Sequence, residues 1–189
     1  MASVVTTHIS STPLAPESGL EIARAHVEAE LERHHADCFA WAMACCGRDR
    51  NEAEDVLQTS YLKVLDGRAV FAARSSFKTW LFGVIRRTAT EHRRWRALSR
   101  FRATSLIDQA DPAPDPASEL GRSESSLRLL TALGTLPDRQ RQLLHLVFYQ
   151  DLTIAEAADV LGISIGTART HYERGKQRLR ELLASERER

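Results

Sequence analysis

The last third of the chain contains a series of helix-capping and turn residues that strongly limits how this part can fold. Thr153 and Glu156 have the spacing of a capping box, in which a hydroxyl and a carboxylate bond each other's backbone N–H groups at a helix start. Gly162 suits a tight turn, and Ser164 can cap the helix that follows. Together with a helix that opens at residues 136–138, this pattern predicts a helix–turn–helix.

The final helix has faces of different chemistry. At about 100° per residue, one stripe of small and apolar residues is expected to pack inward: Ala168, Tyr172, Gly175, Leu179 and Leu182. A second face is polar: Thr167, Thr170, His171, Arg174 and Arg178. Arginine can fork onto guanine and threonine can touch a thymine methyl, so the polar face suits the major groove of DNA. A third face suits phosphates or solvent: Arg169, Lys176 and Arg180.

The earlier part of the chain also has helical periodicity, over residues 21–46, 52–65 and 77 to about 100. No segment alternates cleanly enough to predict a strand. We therefore predict an all-α protein with two small helical domains, at 21–98 and 126–185. An acidic linker containing Pro112, Pro114 and Pro116 would join them at 99–125, and a disordered tail would occupy 1–20.

A strongly basic block is concealed by a nearly neutral total charge. The chain has 26 Lys+Arg and 25 Asp+Glu, for a net charge of +1. Residues 66–102 alone carry ten basic and two acidic side chains, net +8, and the two flanking parts carry −5 and −2. A positive field confined to one block favours a polyanionic partner.

The sequence argues against several classes of protein. No stretch approaches the roughly 20 apolar residues of a membrane helix, and the N-terminus lacks the pattern of a secretory signal. We expect a cytoplasmic protein without membrane insertion. A glycine-rich phosphate loop, a complete set of metal ligands and a nucleophile–base arrangement are all absent from the sequence. It therefore predicts no enzyme activity and no cofactor.

Cys38, Cys45 and Cys46 are odd in number and clustered, which argues against a disulfide framework. His34 and Cys38 are four residues apart and could share a metal ion on one helix face. Cys45 lies about 10 Å further along such a helix, so one ion cannot bind all three. Small core residues are the favoured interpretation, and a thiol or metal sensor is the alternative.

The first domain contains a second distinctive pattern. Residues 53–58 (Ala-Glu-Asp-Val-Leu-Gln) precede a loop of small residues, and residues 77–82 (Phe-Lys-Thr-Trp-Leu-Phe) lead into Arg86 and Arg87. This part resembles the second conserved region of bacterial sigma factors of the extracytoplasmic-function (ECF) group. Residues 136–183 resemble the fourth region of that group, and the order of the two parts also fits.

The resemblance implies a sigma factor that binds core RNA polymerase and directs promoter-specific transcription initiation. It implies that one polar face docks on the clamp coiled-coil of the largest subunit: Glu54, Asp55, Gln58 and Lys63. It implies that a loop and helix start separate the strands of the −10 element and hold a flipped base: Phe71, Arg74, Ser75, Phe77, Lys78, Thr79, Trp80, Arg86 and Arg87. Arg93, Arg94 and Arg96 would hold phosphates beside it.

The same resemblance implies that the last helix binds the −35 element as duplex DNA: Ser164, Thr167, Arg169, Thr170, His171, Arg174 and Arg178. The polymerase flap and an anti-sigma factor are further implied partners.

Two alternatives stay open. Phe77, Trp80 and Phe82 also suit simple core packing. Residues 167–171 also resemble the DNA-binding helix of LuxR-type regulators, which bind duplex DNA without polymerase and would not need the features at 53–58 and 77–82.

Overall fold

The computed structural model describes residues 16–103 and 124–185, with side chains described for 24–99 and 128–184. These residues form eight helices and no strand, which confirms the all-α prediction. The helices are α1 (Pro16–Arg33), α2 (His35–Cys45), α3 (Arg50–Leu65), α4 (Phe77–Ala103), α5 (Glu124–Gly134), α6 (Asp138–Phe148), α7 (Ile154–Leu161) and α8 (Ile165–Ser185). We call α1–α4 the N-terminal lobe and α5–α8 the C-terminal lobe.

Some boundaries differ from the sequence predictions. The helix expected over 21–46 is divided at His34, where the backbone hydrogen bond from His34 N to Glu30 O (3.2 Å) continues through the bend. Helix α1 starts at Pro16, inside the predicted disordered tail, because proline is tolerated in a first helical turn whose N–H groups have no partner. Residues 1–15 and 104–123, where most of the tail and linker were predicted, lie outside the described residues.

The core of the N-terminal lobe is built around Trp41 of α2. Its ring is fully buried, and its indole Nε1 donates a hydrogen bond to the backbone oxygen of Phe82 at 3.0 Å. Helix α4 contributes Leu81 and Ile85 to the same core. Helix α3 adds the apolar face that its spacing predicts, including the buried Val56. Helix α4 is thereby fixed along one side.

The C-terminal lobe packs α6, α7 and α8 around Leu143 and Leu146. Helix α8 crosses α6 at Gly175, where an added Cβ would lie 3.2 Å from Leu144 Cδ1. Phe148 is apolar but 58% exposed, and it stacks on Tyr172 of α8. The reason is position, since Phe148 is the last residue of α6 and its ring lies over the edge of α8.

The two lobes also pack against each other, which the sequence did not predict. Helix α2 contacts α6, and α4 contacts α7. Buried apolar residues from both lobes form one continuous cluster. Among the described helices, none combines the length and apolar character needed to cross a bilayer.

Candidate nucleic-acid interface

The helix–turn–helix has the local geometry that its sequence predicts. The Thr153 hydroxyl accepts from Glu156 N at 3.2 Å, and the Glu156 carboxylate accepts from Thr153 N at 2.9 Å. These bonds lower the pKa of the Glu156 carboxyl because they favour its ionised form. Gly162 ends α7 with φ of 58°, and the Ser164 hydroxyl accepts from Thr167 N at 3.2 Å. The capping box, the turn and the second cap are all confirmed.

Helix α8 is oriented as its periodicity predicts. Ala168 and Gly175 are buried. Most of the polar face is exposed: Thr167, Thr170, Arg174 and Arg178. Arg169 of the third face is exposed as well. His171 is half-buried, and its Nδ1 is buried without a hydrogen-bond partner among the described residues. Arg174 is therefore exposed at one surface of the lobe, with the imidazole of His171 at its edge. Two other basic side chains of α8 have partners on the same helix: Arg178 lies 3.6 Å from Glu181, and Lys176 pairs with Glu173 at 3.1 Å.

The polar face of α3 separates into two parts. Asp55 and Gln58 are exposed, and Glu54 beside them pairs with Arg50 at 2.9 Å. Lys63, assigned to the same face, points elsewhere: its ammonium pairs with Glu91 of α4 at 2.6 Å and donates to the Thr88 hydroxyl at 3.1 Å. Lys63 therefore joins α3 to α4, and the open part of the face is residues 54–58.

The three aromatic residues assigned to the −10 element meet where the loop joins α4: Phe71 lies on the loop, and Phe77 and Trp80 lie in the first turn of α4. The rings of Phe71, Phe77 and Trp80 lie in mutual contact, with centroids 5.3–5.4 Å apart. Phe71 is exposed, and the other two are half-buried. Beside them Arg74 is exposed and Ser75 is half-buried. The aromatic cluster thus combines internal packing with an open edge.

Two further residues assigned to the −10 element have internal partners. Thr79 is buried, and its hydroxyl lies 2.8 Å from the Ser76 hydroxyl, which also accepts from Thr79 N at 3.1 Å. Thr79 and Ser76 therefore cap the start of α4. The Lys78 ammonium pairs with Asp37 at 2.8 Å and lies 5.5 Å from the centre of the Phe82 ring.

The arginines of α4 occupy different surroundings. Arg87 and Arg94 are exposed. Arg86 is half-buried, and its Nε is buried without a hydrogen-bond partner among the described residues. Arg93 pairs with Asp138 of α6 at 3.2 Å, and Arg96 pairs with Glu52 at 2.8 Å. The predicted phosphate row is therefore only partly open in this arrangement of the lobes.

The three cysteines are buried core residues, as the favoured interpretation states. Burial raises the pKa of Cys38 and of Cys46 to about 12, and it also raises the pKa of Cys45. The thiolate that binds metals or reacts with oxidants is disfavoured at all three. Within residues that the structure describes, no group of three potential metal ligands comes together.

Sequence reasoning missed the residues that join the lobes. Lys78 Nζ donates to Gln150 O, Gln150 Nε2 donates to Asp37 O, and the His145 ring stacks on that of Trp41. No motif or spacing in the sequence relates α2 and α4 to α6.

Comparison with known proteins supports both lobes independently. Sigma-70 region 2 matches residues 31–101, and Sigma-70, region 4 matches residues 132–181. The ECF RNA polymerase sigma factor SigX of Bacillus subtilis is 30% identical over 163 residues, covering 82% of this chain and 84% of that protein. The ECF RNA polymerase sigma factor SigF of Caulobacter vibrioides is 34% identical over 136 residues, covering 70% and 71%.

A solved structure extends the likeness to three dimensions. The sigma factor RpoE in complex with the anti-sigma factor NepR, from Bartonella quintana, has a TM-score of 0.67 and 25% identity, over 83% of this chain and 96% of that one. Both lobes, their order and their fold therefore agree with one family, as the sequence resemblance predicts. The chain belongs to the ECF group of sigma-70 RNA polymerase sigma factors, the proteins that direct transcription initiation.

Proposed function

We propose that this sigma factor docks on the clamp coiled-coil of RNA polymerase through residues 54–58 and contacts a two-part promoter with its two lobes. The observation that supports this most is the exposed polar face of α8, since it stands on a capped helix–turn–helix with no internal partner for Arg174 among the described contacts. Helix α8 would enter the major groove at the −35 element.

Base contacts and phosphate contacts divide between the faces of α8. Thr167, Thr170 and Arg174 would meet base edges, because threonine and arginine pair with distinct groove atoms. His171 lies at the edge of the same face, where its imidazole is half-buried. Arg169 would hold the backbone, Arg178 would extend the groove face by a further turn, and Ser164 would hold the helix start at the groove.

The aromatic cluster supports a role at the −10 element. A base taken out of its stack needs an aromatic surface and polar edges to replace its lost contacts. Phe71 offers the exposed ring, backed by Phe77 and Trp80, and Arg74 and Ser75 offer polar groups beside it. Lys78, Arg86 and Arg87 would hold the strand that leaves the cluster. Thr79 would act by keeping the start of α4 in shape.

The acidic and amide groups of residues 54–58 would bind the polymerase. Asp55 and Gln58 are exposed one helical turn apart on α3. Lys63 would contribute by holding α3 against α4, through its pairs with Glu91 and Thr88. The C-terminal lobe would contact the polymerase flap.

We further propose that an anti-sigma protein restrains the chain when it is idle. The support is the similarity to the RpoE protein that was solved with the anti-sigma factor NepR. The chain would work in the cytoplasm, without a cofactor and without chemistry of its own, by positioning the polymerase.

The test is association of the purified chain with bacterial core RNA polymerase, followed by transcription from promoters of its own genome. The double variant Asp55→Ala/Gln58→Ala should lose association. The control variant Glu32→Ala on α1 should retain it, because Glu32 is likewise an exposed carboxylate and lies outside residues 54–58. Tight sequence-specific DNA binding with no polymerase association would overturn the proposal and favour a free-standing regulator.

A further inference from the structure

The second half of α4 exposes two large apolar side chains to which no role has been assigned. Trp95 is 66% exposed and Leu98 is 62% exposed. They are three residues apart on one helix, so their side chains are neighbours. We call these two residues the apolar pair of α4.

The surroundings of the apolar pair are strongly basic. Residues 91–103 carry five arginines and one acidic residue, for a net charge of +4. Arg94, next to Trp95 in sequence, is exposed. The acidic residue, Glu91, is already paired with Lys63 of α3 at 2.6 Å. Apolar side chains within a positive field suit a partner that has phosphates beside an apolar surface, and nucleic acid has both.

The apolar pair continues the surface to which we assign the −10 strand. At about 100° per residue, four side chains of α4 fall within a sector of about 40°: Trp80, Arg87, Arg94 and Leu98. Trp95 lies about 60° from Leu98 around the helix. Arg87 and Arg94 are both exposed. One stripe of α4 therefore leads from the aromatic cluster, which contains Trp80, to the apolar pair.

The C-terminal lobe lies on a different side of this part of α4. Arg93 pairs with Asp138 of α6 at 3.2 Å. Residues two positions apart are about 200° apart around a helix, so Trp95 faces away from that contact. The apolar pair is therefore open while the two lobes are packed together.

The spacing along α4 determines which part of the promoter the apolar pair can reach. Trp80 and Trp95 are 15 residues apart, which is about 22 Å along the helix axis. At a rise of about 3.4 Å per base pair, this distance equals about six or seven base pairs. Because the aromatic cluster is assigned to the opened strand, the far end of α4 meets DNA that is still paired. That end leads along the chain to the lobe assigned to the −35 element, so this duplex is the spacer between the two elements.

We propose that Trp95 and Leu98 form a third promoter contact, as an apolar wedge in the minor groove of the spacer duplex. The wedge lies about six or seven base pairs upstream of the base that the aromatic cluster holds, and it rests on the proposed function of that cluster. Apolar side chains at a base step kink the duplex, and arginines beside them follow a narrow groove. The wedge favours promoters with a flexible pyrimidine–purine step at this position.

The test measures binding of forked promoter DNA by the holoenzyme formed with core RNA polymerase. Each fork has a single-stranded −10 element, no −35 element, and a paired upstream arm of about three or about ten base pairs. The wild-type holoenzyme should bind the long fork about tenfold more tightly than the short fork. Trp95→Ala should lose this gain and bind the short fork normally, whereas Trp95→Phe should retain most of it. Phe148→Ala removes an exposed ring from the other lobe and should keep the full gain.

A second measurement changes the base step at the expected position of the wedge. Within the long fork, a TA step should be bound more tightly than a stiff A-tract by the wild-type holoenzyme, and Trp95→Ala should remove the preference. Arg94→Ala should reduce the salt dependence of long-fork binding by about one phosphate contact.

The outcomes separate the wedge from the function on which it rests. Equal wild-type affinity for the two forks, or an unchanged effect of arm length in Trp95→Ala, would overturn the wedge and leave the −10 assignment standing. Weaker association of Trp95→Ala with core polymerase would also overturn it, because the apolar pair would then face a protein. A wild-type chain that does not associate with polymerase would contradict the proposed function, and the spacer contact with it.

Discussion

The indole of Trp41 and the imidazole of His145 stack with their centroids 5.6 Å apart, although more than half of the chain separates them in sequence. Burial lowers the pKa of His145 to about 4, with a smaller contribution from the nearby positive charge of Arg48. The neutral imidazole is therefore part of the closed arrangement of the lobes.

This relationship makes lobe closure depend on pH. Opening the interface returns His145 toward its ordinary pKa of 6.5, so protons favour the open form. The contribution to closure is complete above pH 6.5 and is lost as the pH falls from 6.5 toward about 4. Fluorescence energy transfer between dyes on α1 and α8 should decrease over this range. His145→Phe keeps a ring without a titrating nitrogen, so it should remove the part of the pH dependence that comes from His145. Equal pH curves for the wild-type and variant chains would contradict the role of His145 in this pH dependence.

Trp41 should be a major contributor to stability. Trp41→Phe loses the hydrogen bond to Phe82 O and leaves part of the ring volume empty, which we expect to cost about 1–3 kcal/mol in free energy of unfolding. The same change at Trp95, which is 66% exposed, should stay within about 0.5 kcal/mol. Urea unfolding of the two variants measures the difference, and similar midpoints would show that Trp41 is not held as described.

The close crossing of α8 over α6 should not tolerate a larger residue. Gly175→Val would press against Leu144 and Gln140, whose atoms lie 3.2–3.4 Å from an added Cβ. We expect a loss of about 1–3 kcal/mol in unfolding free energy. Gly134→Val provides the control, since no atom of the described residues lies within 4 Å of a Cβ there. Thermal melting compares the pair, and an equal loss in both would contradict tight packing at Gly175.

The cysteine thiols should resist alkylation in the folded chain. Their pKa values are raised by burial, to about 12 for Cys38 and Cys46, so few thiolates exist near pH 8. Labelling with iodoacetamide, followed by mass spectrometry, should be slow in buffer and rapid in denaturant. Rapid labelling of the native chain would favour the alternative of an accessible thiol sensor.

Arg174 should determine base preference at the −35 element. Arg174→Ala removes an exposed guanidinium from the groove face of α8, and we expect a loss of about 1–3 kcal/mol in binding with relaxed choice at one base pair. Arg180→Ala, on another face of the same helix, should weaken binding evenly across sequences. Binding to a library of substituted −35 duplexes distinguishes the two, and unchanged preference in Arg174→Ala would contradict the assigned face.

Local signals in the sequence were sufficient for the helix–turn–helix. The bonds between Thr153 and Glu156 and the left-handed turn at Gly162 involve residues a few positions apart, so motif and geometry correspond directly. Helical phase also predicted which side of α8 is buried. These interactions are complete within a single turn or a single helix.

Contacts between distant helices were the part that could not be predicted. Helical phase places Lys63 on a polar side of α3, but only the packing of α4 brings Glu91 to it. Similarly, Thr79 is polar and lies beside assigned DNA contacts, yet it is buried with Ser76. The stack of Trp41 on His145 joins two helices that no periodicity relates.

Helix α4 carries both residues assigned to the promoter strand and residues that contact the C-terminal lobe. Lys78 lies on the side of α4 assigned to the promoter strand and also donates to Gln150 of the opposite lobe. Because Lys78 takes part in the contact between the lobes, we expect a substitution there to change that contact together with any binding of the promoter strand. Compensating changes are expected on α6 and the turn after it.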